Sequence, residues 1–228
     1  MSYNIILFDL DNTLFDFDAN QAESLKMLFT EKGVELTDEI YKTYDGINRN
    51  LWVEYELGKI SIDTLLNTRF AKTMTLYNRE VDGEKWEIDY RKYLNRGSQL
   101  IDGVYDLLGE LSKSHRLFAA TNGVNETQVS RLKLSGIYDF FEDVFISEEV
   151  GAQKPSVKFF DYAFSHICDF KKEESLMVGD TLTSDIKGGL DSGIDTCWYN
   201  PYGLQPSELI KSTYTIKELS ELKEILGM

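Results

Sequence analysis

The chain has 228 residues, 42% of them hydrophobic and 13% aromatic, which is enough for one large domain or for a core with a smaller second domain. Its formal net charge of −15, with Lys and Arg scattered along the chain, disfavours binding to nucleic acid polymers. The sequence contains no apolar run long enough for a membrane span and no signal peptide, so we expect a cytoplasmic protein without membrane contact. Cys168 and Cys197 lack a CxxC spacing, which favours reduced thiols but leaves a single disulfide open.

The first predicted element is a strand that ends in aspartates. Residues 5–8 form the continuous apolar run of a central parallel strand, and Asp9 and Asp11 follow almost at once. Two ionised carboxylates so close together repel each other. The simplest interpretation of this stretch alone is a turn at Asp11 and Asn12, since both residue types are common in turns and caps.

The next part of the chain, from Phe17 to about Gly97, is predicted to be helical throughout. Short turns containing Gly or Asp separate four amphipathic segments, which predict a four-helix bundle: 20–33, 37–58, 61–78 and 82–97. Because this block interrupts the pattern that begins at residue 5, we expect it to be an insertion. The predicted domains are a discontinuous core, 1–15 with 98–228, and an inserted helical cap, 16–97.

From Asp102 onward, predicted strands alternate with helices. The predicted strands are 116–122, a part of 142–149, 175–180, 194–200 and 213–216. Such alternation predicts an α/β fold with a doubly wound parallel sheet that carries helices on both faces. Right-handed crossovers then align the carboxyl ends of the strands along one edge, where ligands of such folds bind.

Polar side chains follow four of the predicted strands. A turn at each of these places would need four coincidences, so a shared location at one edge of the sheet favours a functional site. Lys154 could instead be a plain surface lysine, although its place between a strand and a helix favours the site. The residues are Asp9 and Asp11, then Thr121, Asn122 and Gly123, then Lys154, and last Asp180 and Asp185.

The four aspartates require a cation if they share one pocket, because like charges at close range are too costly. Oxygen donors without nearby Cys or His favour Mg²⁺ over zinc, and Mg²⁺ leaves room for a phosphate oxygen. Lys154, the Thr121 hydroxyl and the backbone amides around Asn122 and Gly123 are suited to bind that phosphate. The predicted metal-site residues are Asp9, Asp11, Asp180 and Asp185.

Two neighbouring carboxylates can divide the work of hydrolysing a phosphate monoester. The uncatalysed reaction is among the slowest known, and one general acid contributes only about 10²- to 10⁴-fold. Asp9 and Asp11 are two residues apart on an extended backbone and point the same way. We expect Asp9 to attack phosphorus and form an aspartyl-phosphate, and Asp11 to serve first as acid and then as base.

The segments "DLDNTLF", "ATNG", "AQKPS" and "VGDTLTSDI", in this order, resemble the four motifs of the haloacid dehalogenase-like hydrolases. This resemblance spans residues 5–193 and implies a Rossmann-like core, a mobile helical cap and Mg²⁺-dependent phosphoryl transfer. It implies that Asp9 is the nucleophile and that Asp11 is the acid/base, with its backbone carbonyl on the metal. Thr121 resembles the family's phosphate-binding hydroxyl residue and Lys154 the motif lysine, while Asp180 would bind the metal and Asp185 would support its water shell.

Further stretches are similar to the bacterial pyrimidine 5′-nucleotidases, namely "INRNLWVEYELGKIS", "TNGVNETQVSRL", "FISEEVGAQKP" and "DTCWYNPYG". They imply a small-molecule partner, a pyrimidine nucleoside 5′-monophosphate, and we expect a monomer or a weak homodimer. Within the family, a sugar-phosphate phosphatase or a phosphomutase is the alternative. A carbon–halogen hydrolase would have little use for Asp11 or Asp180. The non-enzymatic alternative is a phospho-sensor, which needs a long-lived acyl-phosphate.

Polar residues of the helical block have two interpretations. Asn20 and Asn48 could read the edge of a base, but we expect them on a solvated helix face. Trp52, Tyr55 and Phe17 could stack on a base, although aromatic residues at helical spacing are more often part of a core.

Overall fold

The computed structural model describes residues 3–228, and its largest element is a parallel sheet of six strands. The order across the sheet is β3-β2-β1-β4-β5-β6, and all neighbouring strands run parallel. The predicted α/β fold with a parallel sheet is therefore confirmed. The strands are β1 (Ile5–Phe8), β2 (Arg116–Thr121), β3 (Asp143–Ile146), β4 (Ser175–Gly179), β5 (Asp195–Tyr199) and β6 (Tyr214–Ile216).

Strand β1 lies between β2 and β4 in the sheet, and both of its faces are apolar. Ile6 and Phe8 belong to one hydrophobic cluster, while Ile5 and Leu7 belong to another on the opposite face. Alternate side chains of a strand point to opposite faces, so each face of the sheet has its own core. Phe8, the last residue of β1, pairs with both β2 and β4. This pairing brings three strand ends to one edge.

The described residues contain ten α-helices, which follow or separate these strands. Helix α8 packs its Phe159 and Phe160 into one core, and α5 packs its Leu108 and Leu111 into the other. The helices are α1 (Phe17–Glu31), α2 (Asp38–Glu56), α3 (Ile62–Thr75), α4 (Gly83–Leu94), α5 (Val104–Leu111), α6 (Asn125–Leu134), α7 (Ser147–Val150), α8 (Val157–His166), α9 (Lys187–Ser192) and α10 (Leu222–Leu226).

The chain divides into two compact units. One consists of the residues up to Phe17 together with Ser98–Met228, and it holds the sheet. The other, Asp18–Gly97, is helical and contains almost all of α1 together with α2, α3 and α4. Among the described residues, no helix combines the length and the apolar character that a membrane crossing needs.

The helices of the second unit begin where their sequences provide caps. Thr37 accepts a hydrogen bond from the Ile40 amide at the start of α2, and Ser61 accepts one from the Thr64 amide at the start of α3. Asp82 caps α4 in the same way. Each of these caps satisfies a backbone N–H that has no partner within its helix.

A buried ion pair lies inside the helical unit. The Arg69 guanidinium donates to both carboxylate oxygens of Glu87, at 2.8 Å each, and its Nη1 donates to Asn48 Oδ1 at 3.0 Å. Asn48 in turn donates to Gln21, and Asn20 donates to the Leu94 carbonyl. Both asparagines are buried, so their expected place on a solvated helix face is wrong.

Two segments differ from the predicted elements. Residues 142–149 hold a strand only as far as Ile146, after which Ser147–Val150 form the one-turn helix α7. The predicted helix around residues 184–193 begins with a wide π-helical turn, Leu182–Ile186, before α9. Wide turns of this kind are frequent near functional sites, and this one contains Asp185.

Candidate active site

Asp9 lies at the carboxyl end of β1 with its side chain in the protein interior. Its backbone N–H donates to the Val178 carbonyl, which extends the pairing with β4 by one residue. The chain then turns, with Asn12 at a φ of 61°, a conformation that Asn adopts more readily than most residues. The turn brings Thr13 back, and its hydroxyl donates to Asp9 Oδ2 at 3.1 Å. Asp9 is therefore held on one side by its own turn.

Lys154 is a buried lysine, only 1% exposed, so the alternative of a plain surface lysine is wrong. Its ammonium donates to Asp9 Oδ1 at 2.7 Å, to Asp185 Oδ1 at 2.6 Å and to the Ala120 carbonyl at 2.6 Å. These three contacts use all three hydrogens of the ammonium. The charges of the two carboxylates raise the pKa of Lys154 against the opposing effect of burial, so the lysine is charged.

The side chain of Asn122 holds the backbone of Lys154. Asn122 Nδ2 donates to the Lys154 carbonyl at 2.9 Å, and Asn122 Oδ1 accepts from the Lys154 N–H at 2.8 Å. Both polar atoms of the Asn122 side chain therefore bind the Lys154 backbone and position the lysine. The predicted contact of Asn122 with substrate concerns its backbone amide and stays a prediction.

Asp185 reaches the site from the wide turn after β4. Its Oδ1 accepts from Lys154, and its Oδ2 accepts from the Thr181 N–H at 3.0 Å. Asp180 directly follows β4 and is partly buried as a residue, and the Thr181 hydroxyl donates to its Oδ1 at 3.1 Å. The indole of Trp198 on β5 fixes the Asp180 backbone by donating to its carbonyl at 2.8 Å.

The carboxylates of Asp9, Asp180 and Asp185 form one cluster, since an oxygen of each lies within 4.8 Å of the others. Burial raises the pKa of Asp9 to about 7; the Lys154 ammonium opposes this rise, and the Asp185 carboxylate adds to it. Burial also raises the pKa of Asp180 well above its usual value, and the charges of Asp9 and Asp185 act in the same direction. Such crowding favours a bound cation, and a donor set made only of oxygens fits Mg²⁺.

The Asp11 carboxylate has different partners from those of Asp9. Gln128 Nε2 donates to Asp11 Oδ2 at 2.7 Å, and the Arg131 guanidinium forms an ion pair with Asp11 Oδ1. This carboxylate lies outside the three-residue acidic cluster. The predicted metal contact of Asp11 through its backbone carbonyl stays a prediction.

Thr121 ends β2 and is buried next to Gln128 and Gly123. Its Oγ1 accepts from Gln128 Nε2 at 2.9 Å and from the Gly123 N–H at 3.1 Å. The residues predicted from the strand ends thus lie at one edge of the sheet, in two adjoining groups. One group contains Asp9, Lys154, Asp180 and Asp185, and the other contains Asp11, Thr121 and Gly123.

Sequence reasoning missed Gln128 and Arg131. Both lie within α6, one turn or more beyond the strand end, where polar residues are normally read as a solvated helix face. The available signal was their spacing of three residues, which places both side chains on one face of the helix. Both are fully buried, so this polar face lies against the site.

The sequence profile of the haloacid dehalogenase-like hydrolases matches residues 6–199, a range that includes every residue of this site. The chain belongs to this family. This haloacid dehalogenase-like hydrolase is 44% identical to YfnB of Bacillus subtilis over 228 residues, which cover 99% of this chain and 96% of YfnB. A crystal structure of YfnB bound to magnesium matches it with a TM-score of 0.97 at 43% identity, covering 100% of both chains.

Two further relatives of this haloacid dehalogenase-like hydrolase are pyrimidine 5′-nucleotidases. PynA of Streptococcus pneumoniae is 40% identical over 227 residues, which cover 99% of this chain and 96% of PynA. YjjG of Escherichia coli is 35% identical over 229 residues, which cover 99% of each chain. The similarity therefore includes the helical unit as well as the sheet.

Proposed function

We propose that this protein is a Mg²⁺-dependent phosphomonoesterase that acts through an aspartyl-phosphate, with pyrimidine nucleoside 5′-monophosphates as its substrates. The observation that carries the proposal is the position of Asp9, a buried carboxylate at the sheet edge that Lys154 contacts. The two nucleotidases at 35% and 40% identity support the choice of substrate.

The charges of the site suit a phosphoryl group. The Lys154 ammonium, whose hydrogens are engaged by its own contacts, places a positive charge beside Asp9. The Thr121 hydroxyl, which shares Gln128 with Asp11, is a donor at the end of β2, before α6. Preorganised donors of this kind stabilise negative charge where it develops in the transition state. Asp9, Asp180 and Asp185 would hold the Mg²⁺ ion, which when bound would offset the negative charge of the phosphoryl group.

Asp9 and Asp11 divide the chemistry in this proposal. A carboxylate oxygen of Asp9 forms a bond to phosphorus while the bond from phosphorus to the ester oxygen breaks. Asp11 supplies the proton that the departing alkoxide needs, and the alcohol leaves. Asp11 then removes a proton from water as the water attacks the phosphorus, which releases inorganic phosphate and restores the Asp9 carboxylate.

We further propose that the sheet-containing unit is the catalytic core and that Asp18–Gly97 is a cap that selects substrates. In support, the magnesium-bound crystal structure of YfnB reveals interdomain movement in that protein. The free thiols of Cys168 and Cys197 support a reducing, cytoplasmic location. The net charge of −15 supports small phosphate esters over nucleic acid polymers as partners.

The test is phosphate release from a panel of pyrimidine and purine nucleoside 5′-monophosphates and sugar phosphates, with Mg²⁺ present. We expect the highest kcat/KM with a pyrimidine nucleotide such as dUMP, and loss of activity on adding EDTA. Asp9→Asn should be inactive, whereas the surface variant Asp191→Asn should match the wild type. Activity confined to sugar phosphates would overturn the proposed substrate, and no phosphate release from any ester would overturn the proposed enzyme.

A further inference from the structure

The Gln128 side chain lies between the proposed acid/base and the proposed phosphate-binding hydroxyl. Its Nε2 donates to Asp11 Oδ2 at 2.7 Å and to Thr121 Oγ1 at 2.9 Å. A side-chain amide nitrogen carries two hydrogens, so one hydrogen is available for each contact. Gln128 is 1% exposed, so water does not compete for these hydrogens.

Arg131 fixes which way the Gln128 amide faces. Its Nη1 donates to Gln128 Oε1 at 3.0 Å and also pairs with the Asp11 carboxylate. An arginine only donates, so the amide oxygen must face Arg131 and the amide nitrogen must face Asp11 and Thr121. The guanidinium is itself held over the Phe15 ring, 4.2 Å from its centroid, within the same unit.

The contacts of Thr121 set the direction of its hydroxyl hydrogen. A hydroxyl has one hydrogen to donate and two lone pairs that accept. Both lone pairs of Thr121 are engaged, one by Gln128 Nε2 and the other by the Gly123 N–H. The hydrogen therefore points away from both partners and is available to a phosphoryl oxygen.

Gly123 makes room for this arrangement. A Cβ at Gly123 would lie 2.4 Å from Gln128 Nε2 and 2.7 Å from both Cδ and Cγ of the same side chain. A methyl group there would force the whole glutamine side chain away. The glycine of the "ATNG" stretch is thus required by the position of Gln128.

We propose that Gln128 is a positioning residue of the phosphatase reaction, with Arg131 fixing its amide. One amide hydrogen holds the Asp11 carboxylate for proton transfer, and the other keeps the Thr121 hydroxyl turned toward the phosphoryl group. This inference rests on the proposed function, since it assigns a second layer of residues to that same site.

The test separates the contact of Gln128 with Asp11 from its contact with Thr121. It compares two substrates and uses Thr121→Val as a second variant. An aryl ester such as p-nitrophenyl phosphate has a leaving group that needs no proton, so it is insensitive to the acid role of Asp11. We expect Gln128→Met to lower kcat/KM by about 10² on a nucleotide, the low end of what a general acid contributes. On p-nitrophenyl phosphate we expect a loss of about tenfold, comparable to one hydrogen bond.

The remaining aryl-ester loss should depend on Thr121. In a Thr121→Val background, Gln128→Met should change kcat/KM for p-nitrophenyl phosphate by less than about twofold, because coupled residues are not additive. Gly123→Ala should reproduce the Gln128→Met pattern on both substrates. Gln205→Met, at an exposed glutamine of the same unit, is the matched control and should equal the wild type.

Equal losses of Gln128→Met on the two substrates, or the same loss with Val at position 121, would overturn the inference. Thermal unfolding shows whether each variant is folded. If Gln128→Met does not fold, Arg131→Lys, which keeps the positive charge, is measured in its place. Arg131→Lys should show the same larger loss on the nucleotide, and equal losses would again overturn the inference. A wild-type protein that releases phosphate from neither substrate would instead count against the proposed function.

Discussion

Gly179 and Asp185 lie so close together that a side chain at position 179 would not fit. A Cβ on Gly179 would lie 2.3 Å from Asp185 Oδ2. The absence of a side chain lets the carboxylate approach the end of β4, where it accepts from Lys154 and from the Thr181 N–H. The backbone of one strand residue thus determines where a carboxylate of the acidic cluster can lie.

Gly179→Ala should therefore displace Asp185 from the cluster. We expect the affinity for Mg²⁺ to fall by at least about tenfold, since one misplaced ligand or supporting contact has effects of this size. Isothermal titration calorimetry with Mg²⁺ measures the affinity directly. Gly46→Ala is the matched control, because a Cβ at Gly46 in α2 meets nothing within 4 Å. It should leave Mg²⁺ binding unchanged and stabilise the protein by about 0.5–1 kcal/mol. Unchanged binding in Gly179→Ala would contradict the predicted displacement.

Asp180 predicts a pH-dependent stability of the metal-free protein. Its pKa is raised in the folded state, chiefly by burial, so the proton it holds stabilises the folded protein at low pH. That stabilisation is lost as the pH rises through the folded-state pKa. Asn mimics the protonated carboxyl at every pH. In EDTA, Asp180→Asn should therefore become increasingly stable relative to the wild type as the pH rises above about 4, the ordinary pKa of an aspartate.

Thermal unfolding of both proteins across this pH range measures the difference. Adding Mg²⁺ at about pH 8 should reverse the order, because an ion that binds only the folded state stabilises it, and the variant lacks one carboxylate of the site. A stability difference that does not change with pH would show that Asp180 has the same pKa in both states.

The paired hydrogen bonds between Asn122 and the Lys154 backbone predict a role for Asn122 in placing the lysine. Asn122→Ala removes both bonds, and we expect a loss of stability of about 1–3 kcal/mol. Because Lys154 would lose its orientation, kcat/KM for phosphate release should fall as well, by about tenfold or more. Denaturant unfolding and steady-state kinetics measure these effects. Asn67→Ala, at an exposed position of α3, is the control that should change neither. Wild-type kinetics in Asn122→Ala would show that the lysine is held without it.

The buried ion pair between Arg69 and Glu87 predicts that a single substitution in the helical unit causes a large loss of stability. Glu87→Gln would leave the Arg69 guanidinium buried without its carboxylate partner, and both side chains are at most 4% exposed. We expect the free energy of unfolding to fall by about 3–5 kcal/mol, because removing one partner leaves an uncompensated buried charge. Asp191→Asn, which breaks the exposed pair with Lys187, should cost less than about 1 kcal/mol. Chemical denaturation compares the two variants, and similar small losses would contradict the role assigned to burial.

The strand ends were predictable because burial and charge change abruptly there. The apolar run of residues 5–8 stops at Asp9, and in the structure β1 ends at Phe8 with both faces covered. The same change from apolar to polar residues located Thr121 and Asp180 at the ends of β2 and β4. The carboxyl ends of parallel strands lie at one edge of the sheet, where ligands of such folds bind. This general property was sufficient to predict that the candidate residues lie together.

The contacts made by helices were not predictable in the same way. Asn48 is buried because Gln21 and Arg69, on two other helices, supply its hydrogen bonds, and no local pattern reveals such partners. Gln128 and Arg131 have the sequence pattern of an exposed helix face, yet Asp11 and Thr121 make that face a buried one. Polar residues on helices need the three-dimensional arrangement before their environment can be assigned.

The central position of β1 has a consequence for the order of folding events. Phe8 pairs with Ala119 on one side and with Val178 on the other, and Asp9 reaches Lys154 and, through it, Asp185. During synthesis, the earliest strand must wait for partners made much later, and such non-local pairing is slow. A chain that has not yet been extended to Asp185 therefore holds its proposed nucleophile without one of the three carboxylates of the cluster and without one of the two carboxylates that pair with Lys154.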